Sequence, residues 1–180
     1  MDFFRKLSRL TSHEGKHMSW VTPLGFPVVQ RYSRTTDKKI KMYLYDRTTE
    51  VRKKSQVTYR LPDHVVNKMK SASAVAPNII HSQDSCHLHM TVLECMAKHN
   101  VNDFFMIHDS FGCVPADAWS MYYAVRTTFI KLYTDNNLYE DLLNQVKQQL
   151  DNPDAVDLPE LPERGDLDLS QVIDSRYCFI

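Results

Sequence analysis

The sequence predicts an α+β fold in which an antiparallel β-hairpin is backed by helices. An apolar run that is interrupted only by His108-Asp109-Ser110 indicates two short strands, near 103–107 and 111–114. Apolar residues recur at helical spacing in the segments that follow this hairpin. Basic and apolar residues alternate in the segments before it, which is typical of strands with one solvated face. Together these patterns favour a mixed fold.

Residues 1–76 form a basic region that is rich in predicted strands. Residues 2–10 predict a short basic helix. Two short strands are expected on either side of residues 23–25, where proline and glycine supply the backbone angles of a turn. The segments 39–46 and 55–61 predict two further strands, joined by a charged loop or hairpin end.

A helix is predicted to follow Pro77. Proline disfavours helical angles in the residue before it, so we expect Pro77 to limit any earlier helix and residues 78–80 to be extended. Ser82 is then a candidate N-cap, with Asp84 in the first turn of a helix that runs to about His99.

The middle of the chain, residues 77–150, is completed by two more helices. One is predicted within 116–133, with Asp117 as a candidate cap, and one within 136–150. The aromatic residues near the start of the first of these helices fall at helical spacing and are expected in the core. Residues 151–180 form a proline-rich acidic connector that ends on apolar groups.

The charges of the chain are strongly segregated although the net charge is zero. Residues 1–70 carry a balance of +10 and residues 71–180 a balance of −10. Such a split predicts a basic face for a polyanion, whereas the alternative is that the two halves neutralise each other in the fold. The candidate nucleic-acid-binding residues are Arg31, Arg34, Lys38, Lys39, Lys41, Arg52, Lys53 and Lys54.

Asp109 is the candidate metal ligand, because a hairpin tip is both exposed and rigidly anchored. Mg²⁺ prefers oxygen ligands in near-octahedral geometry, but a two-metal centre needs carboxylates that bridge ions about 3.5–4 Å apart. Asp103 would lie roughly 20 Å from the tip along the strand and cannot be the second carboxylate. The hairpin therefore supplies half of a site, unless Asp109 only stabilises its own turn.

Several separated stretches carry a resemblance to a known family. APNIIHSQDSCHL at 76–88, FFMIHDSFG at 104–112 and LPERGDLDLSQVIDSRYCF at 161–179 resemble the C-terminal part of single-subunit, bacteriophage-type DNA-directed RNA polymerases. WVTPLGFPVVQRY at 20–32 resembles the same family. The resemblance covers essentially the whole chain, with its motifs in the family's order.

The resemblance implies a role for each residue of these motifs. The hairpin corresponds to palm motif C, so Asp109 is implied to be one of two carboxylates that bind the two Mg²⁺ ions. His81 is implied to lie beside the primer–template end and to sense correct pairing. The supporting residues of these two elements are His108, Ser110, Ser82 and Asp84.

The resemblance also implies how the chain divides. Residues 1–76 correspond to a fingers-side region, 77–150 to a palm element with its packing helices, and 151–180 to a connector and a C-terminal "foot" with Tyr177 and Phe179. Complete members of the family are several times longer, and the second metal carboxylate and the nucleotide-handling helix have no candidates here. Three origins of such a chain remain open: it is a truncated gene product, one piece of a split polymerase, or a piece cut from a longer protein.

Three functions are compatible with this reading. The first is part of a polymerase that is inactive alone and acts with template DNA, the RNA transcript, nucleoside triphosphates and the missing N-terminal segment as a separate chain. The second is a non-catalytic remnant that binds nucleic acid. The third is a metal-dependent phosphohydrolase, which would require a helix through 106–112. The sequence shows neither a secretory signal nor a membrane span, so the expected location is the cytoplasm, that of the host cell if the protein is viral.

Overall fold

The computed structural model describes residues 2–107 and 109–178, and within these ranges it confirms the α+β class. Its strands pair as separate antiparallel hairpins, and helices pack behind the last of them. The elements in chain order are α1 (Asp2–His13), β1 (Ser19–Val21), β2 (Pro27–Val29), β3 (Ser33–Asp46), β4 (Val51–Val66), α2 (Lys68–His99), β5 (Phe104–Ile107), β6 (Ser110–Cys113), α3 (Ala118–Thr134) and α4 (Leu138–Gln149).

The predicted turn at residues 23–25 joins β1 to β2. The backbone amide of Gly25 donates to the carbonyl oxygen of Thr22 at 2.8 Å, and the amide of Thr22 donates to the carbonyl oxygen of Phe26 at 3.0 Å. Gly25 has a φ of 82°, a conformation that residues with a Cβ atom rarely adopt. The turn therefore depends on glycine at this position.

Strands β3 and β4 form a long two-stranded ribbon, closed by a turn at residues 47–50. The predicted charged loop was too long, because residues 51–54 already belong to β4. Asp46 closes the ribbon: its carboxylate accepts from the amide of Thr48 at 3.0 Å and from Nζ of Lys53 at 2.8 Å. These hydrogen bonds, led by the one from Lys53, lower the pKa of Asp46 to about 2.

Helix α2 is continuous through Pro77, so the predicted break at this residue and the extended piece after it are wrong. The N-cap is Asn67, whose side chain accepts from the amide of Lys70 at 3.1 Å, and not Ser82, which lies within the helix. Val75 and Ile79 on either side of the proline are fully buried. Their burial stabilises the helix by more than the hydrogen bond that Pro77 cannot donate.

We expect Pro77→Ala to stabilise the chain by about 1–3 kcal/mol. Alanine restores a backbone N–H at position 77 that can donate to the carbonyl oxygen of Ser73. Its helix propensity also exceeds that of proline by about 3 kcal/mol. The ring of Pro77 is exposed, so little packing is lost. Urea unfolding measures the change, and Pro77→Gly, which restores the amide at lower propensity, should gain about 1 kcal/mol less. A destabilised Pro77→Ala variant would contradict this account.

Two clusters of buried residues divide the core along α2. The first packs α1 and α4 against the N-terminal half of α2, with Trp20 of β1 at its edge. The second packs the C-terminal end of α2 against α3 and the hairpin β5–β6. Its buried members are Cys95, Val101, Met121, Ala124 and Val125.

The aromatic residues at the start of α3 contradict one prediction. Trp119 is 72% exposed and Tyr123 is 51% exposed, whereas both were expected in the core. The buried face of α3 begins with Met121 and continues through Ala124, so these two rings point away from α2. Asp117 stands at the N-cap position but makes no capping hydrogen bond through its side chain.

The segment after α4 has little regular structure, as predicted for the connector. Its only helical turns among the described residues are the short 3₁₀ turns Pro153–Ala155 and Leu169–Val172. None of the helices in the described part of the chain is long and apolar enough to cross a bilayer.

Candidate functional site

The hairpin β5–β6 presents Asp109 at its turn. The strands pair Ile107 with Ser110 and Phe104 with Cys113, so a hairpin forms where the sequence predicted one. Asp109 is exposed, whereas its neighbour His108 lies outside the described residues. The described residues on both sides of His108 form strands, so they do not form the helix that the phosphohydrolase interpretation required.

Only one face of this hairpin is packed, although both of its strands are mainly apolar. Phe105 and Ile107 are 69% and 51% exposed, while Phe104, Met106 and Phe111 pack against the second core cluster. The strands approach each other closely at Gly112, where an added Cβ atom would meet the carbonyl oxygen of Phe105 at 3.0 Å. The packed face therefore holds the tip in place from one side.

A cavity of about 400 Å³ lies between the hairpin tip and α3. Asp109 and Ser110 line it from the tip, and Tyr122, Val125 and Arg126 line it from the helix. Asp109, the predicted metal ligand, therefore lines the same cavity as residues of α3.

His81 faces a different and larger space. It is exposed on α2 and lines a groove of about 930 Å³ between this helix and the hairpin β1–β2. The groove is mainly apolar, with Leu24 and Phe26 on one side and Leu88 and Val92 on the other. The described residues therefore place His81 and Asp109 in separate cavities.

Ser82 anchors the helix next to His81. Its hydroxyl is buried, accepts from Nε1 of Trp20 at 2.9 Å and donates to the carbonyl oxygen of Ile79 at 2.7 Å. This contact ties β1 to α2 beside the imidazole of His81. Asp84, the other predicted supporting residue on α2, is exposed.

His87 joins three elements around the Asp109 hairpin, and sequence reasoning did not assign it this role. Its Nε2 lies 2.8 Å from the carbonyl oxygen of Val125, so Nε2 carries the proton. Its ring packs in T-shaped geometry with the rings of Phe111 of β6 and Phe129 of α3, at centroid distances of 5.5 and 5.6 Å. Burial lowers the pKa of His87, which favours the neutral imidazole. The signal available was the helical spacing of His87 from Ile79 and Cys95, which are also buried.

The described residues contain no cluster of three or more His, Cys, Asp or Glu side chains that could hold a metal ion. His87 is buried and His89 is exposed, so these two imidazoles of α2 lie in different environments. Asp109 is the carboxylate at the hairpin tip. This donor set fits one part of a Mg²⁺ site, and further oxygen ligands would have to come from elsewhere.

The ribbon β3–β4 has two different faces. Directly opposed residues of antiparallel strands share a face, and successive residues point to opposite faces. The register pairs Tyr43 with Lys54 and Leu44 with Lys53. The first of these pairs lies on what we call the basic face, which carries Lys39, Lys41, Tyr43, Tyr45, Arg52 and Lys54.

The opposite face of the ribbon is mainly apolar, with Ile40, Leu44 and Val57 each more than 40% exposed. Lys38 and Lys53 point to this side. The eight predicted nucleic-acid-binding residues are thus not one surface. Four lie on the basic face, two lie on the apolar face, and Arg31 and Arg34 are exposed at the base of the ribbon.

Comparisons with known proteins agree with the motifs. A family model for DNA-dependent RNA polymerase matches residues 4–156. The DNA-directed RNA polymerase of Enterobacteria phage K11 is 36% identical over 161 residues, which are 89% of this chain and 17% of that protein. The chloroplastic/mitochondrial DNA-directed RNA polymerase 2 of Arabidopsis thaliana is 35% identical over 179 residues, 99% of this chain and 16% of that protein.

A relative of similar length also matches. DNA-directed RNA polymerase 1A of Nicotiana tabacum is 36% identical over 166 residues, which are 92% of this chain and 97% of that protein. The chain therefore belongs to the family of single-subunit, bacteriophage-type DNA-directed RNA polymerases, which confirms the resemblance. It spans about one sixth of the length of the phage and Arabidopsis relatives.

Proposed function

We propose that this chain supplies the motif C part of the active site of a DNA-directed RNA polymerase. The observation that carries the proposal is the position of Asp109, exposed at the turn of a hairpin whose packed face is held by α2 and α3. A two-metal centre requires carboxylates that are accessible and rigid at once. A paired hairpin tip meets both requirements.

Asp109 is proposed to hold Mg²⁺ together with a carboxylate from another part of the polymerase. Bound Mg²⁺ supplies electrostatic stabilisation of the attacking and leaving oxygens in nucleotidyl transfer. The task of this chain is to keep the carboxylate of Asp109 in position, and Gly112 and His87 contribute by fixing the two strands and their packing. Ser110 and His108 flank Asp109 and are proposed as supporting residues.

His81 is proposed to contact the primer–template end from the groove beside α2. The side chain is exposed, while its neighbour Ser82 is fixed by the indole of Trp20. An exposed imidazole on a helix anchored in this way is available to a ligand without loss of backbone order. Asp84 is one turn further along α2 and is proposed to support this element.

The basic face of the ribbon is proposed to bind the phosphate backbone of template or transcript. Four cations with two exposed tyrosines among them suit a polyanion that also offers base planes. Lysine and arginine contacts to phosphate position the nucleic acid but carry little sequence information. The ligands of the whole site would be template DNA, the transcript and nucleoside triphosphates.

We expect no templated RNA synthesis from the 180-residue chain alone and synthesis when the N-terminal polymerase segment of the same source is added as a separate chain. The reason is that Asp109 is only half of a two-metal site. The assay measures templated RNA synthesis as incorporation of labelled nucleotide with Mg²⁺ and a primed template. Synthesis by the chain alone would contradict the claim that Asp109 is only half of the metal site. Silence in the mixture, with the chain folded by circular dichroism, would contradict the catalytic proposal and favour the nucleic-acid-binding remnant.

A further inference from the structure

Arg126 of α3 is a buried cation that the proposed reaction does not use. Its side chain has no exposed surface, and a buried arginine is rare unless it is paired. No carboxylate lies within ion-pair distance of its guanidinium among the residues that the structure describes. Its charge must therefore be stabilised in another way.

The C-terminal segment and an aromatic ring provide part of that stabilisation, while Nη1 of Arg126 is buried with no hydrogen-bond partner among the described residues. Nη2 of Arg126 donates to the carbonyl oxygen of Ser175 at 2.9 Å, and Nε donates to the carbonyl oxygen of Val172 at 3.3 Å. The guanidinium also lies over the ring of Tyr122, 3.5 Å from its centroid. Cation–π contact and charge-assisted hydrogen bonds are stronger away from water.

The same side chain forms part of the wall around Asp109. Arg126 and Tyr122 line the cavity of about 400 Å³ that Asp109 and Ser110 line from the hairpin. The residue before it, Val125, accepts the hydrogen bond from His87. One turn of α3 thus contacts the C-terminal segment, α2 and the space in front of the hairpin tip.

We propose that Arg126 is a positioning residue that ties the C-terminal segment, residues 168–178, to the hairpin that carries Asp109. Its guanidinium donates to two carbonyl oxygens of the segment, and the same residue lines the Asp109 cavity. Loss of this side chain releases the segment and loosens the hairpin tip. The consequence for catalysis rests on the proposed function, whereas the mechanical tie does not.

Amide hydrogen exchange on the complete 180-residue chain tests the tie without any need for activity. The amides of Gln171 and Ile173, which donate within the short 3₁₀ turn, report on the segment. We expect Arg126→Met, which keeps the length and removes the donors, to speed their exchange about ten-fold or more. Arg126→Lys, which keeps the charge and loses the two-pronged geometry, should give an intermediate effect.

The matched control is Arg164→Met. Nη2 of Arg164 also donates to a backbone carbonyl oxygen, that of Asn136 at 3.1 Å, but this residue is exposed and distant from the hairpin in sequence. Its loss should leave the exchange of the 3₁₀ turn and of β5–β6 unchanged. Amides of α1 and α4, in the other core cluster, report whether a variant is globally destabilised.

Coupling to the hairpin is tested by a double-mutant cycle. Arg126→Met and deletion of residues 168–180 should each speed exchange in β5–β6, and the two effects should not add, because both remove the same contact. Unchanged hairpin exchange, or additive effects, would overturn the proposal.

In the reconstituted polymerase Arg126→Met should lower kcat at unchanged KM for nucleotide. If Asp109→Asn retains full synthesis in that assay, the proposed function has failed. The exchange results would still show whether Arg126 holds the C-terminal segment to the hairpin, because they do not depend on activity.

Discussion

Replacing Asp109 by asparagine should lower templated RNA synthesis by the assembled polymerase about 1,000-fold or more. Asparagine keeps the size of the side chain and removes the negative charge that a hard cation requires. Metal-ion catalysis contributes several kcal/mol of transition-state stabilisation, and about 4 kcal/mol corresponds to three powers of ten in rate. The rate of single-nucleotide addition by the mixed chains measures the loss.

The asparagine variant also distinguishes metal binding by Asp109 from stabilisation of its own turn. Asparagine and aspartate both stabilise turns through side-chain hydrogen bonds to the backbone, so Asp109→Asn preserves the hairpin if that is the only role. Asp103→Asn is the matched control, because this exposed carboxylate precedes the same hairpin. We expect it to leave the rate within about two-fold, as is usual for surface changes. A rate for Asp109→Asn close to that of Asp103→Asn would mean that Asp109 only shapes its turn.

The elements that the sequence predicted well are those with local signals. The hairpin around Asp109 was visible because two apolar runs flank a short polar turn, and the turn at Gly25 was visible because proline and glycine restrict backbone angles locally. The helices α3 and α4 were visible from their periodic apolar residues. In each case the information lies within about ten residues of chain.

Pro77 shows why other elements were not predictable in the same way. The local rule, that proline disfavours a helix before it, is correct as a tendency. It was outweighed by the burial of Val75 and Ile79 against elements that lie far away in the sequence. Ser82 was misassigned as a cap for the same reason, since its partner, the indole of Trp20, lies 62 residues earlier.

The candidate site shows the same division. Asp109 and His81 are candidates that short motifs suggest, whereas the roles proposed for His87 and Arg126 depend on contacts that no short motif contains. Arg126 interrupts the apolar face of α3 four residues after Tyr122, and an arginine at such a position is more often a solvated charge. Only the fold shows that two backbone carbonyl oxygens of the C-terminal segment meet it.

The strand register of the ribbon β3–β4 also carries information that composition lacks, because it places the basic residues of the ribbon on two different faces. Changing Lys39, Lys41, Arg52 and Lys54 to glutamine should weaken binding of a duplex of about 20 base pairs by about 1,000-fold near 0.1 M salt. Each phosphate contact contributes about −0.9 to the slope of log affinity against log salt concentration, so the slope should become shallower by about 3 to 4. Fluorescence anisotropy between about 50 and 200 mM salt measures both quantities.

The opposite face of the same ribbon supplies the control. Lys38 and Lys53 are adjacent in sequence to residues of the basic face but point away from it, and Lys53 is already paired with Asp46 at 2.8 Å. Changing these two to glutamine should alter the salt slope by less than 1, whereas changing only Lys41 and Lys54 should alter it by nearly 2. Equal effects of the two double variants would mean that the ribbon attracts nucleic acid through its total charge. Unequal effects in the predicted direction would mean that phosphates contact one face of the ribbon, the one that also presents Tyr43 and Tyr45.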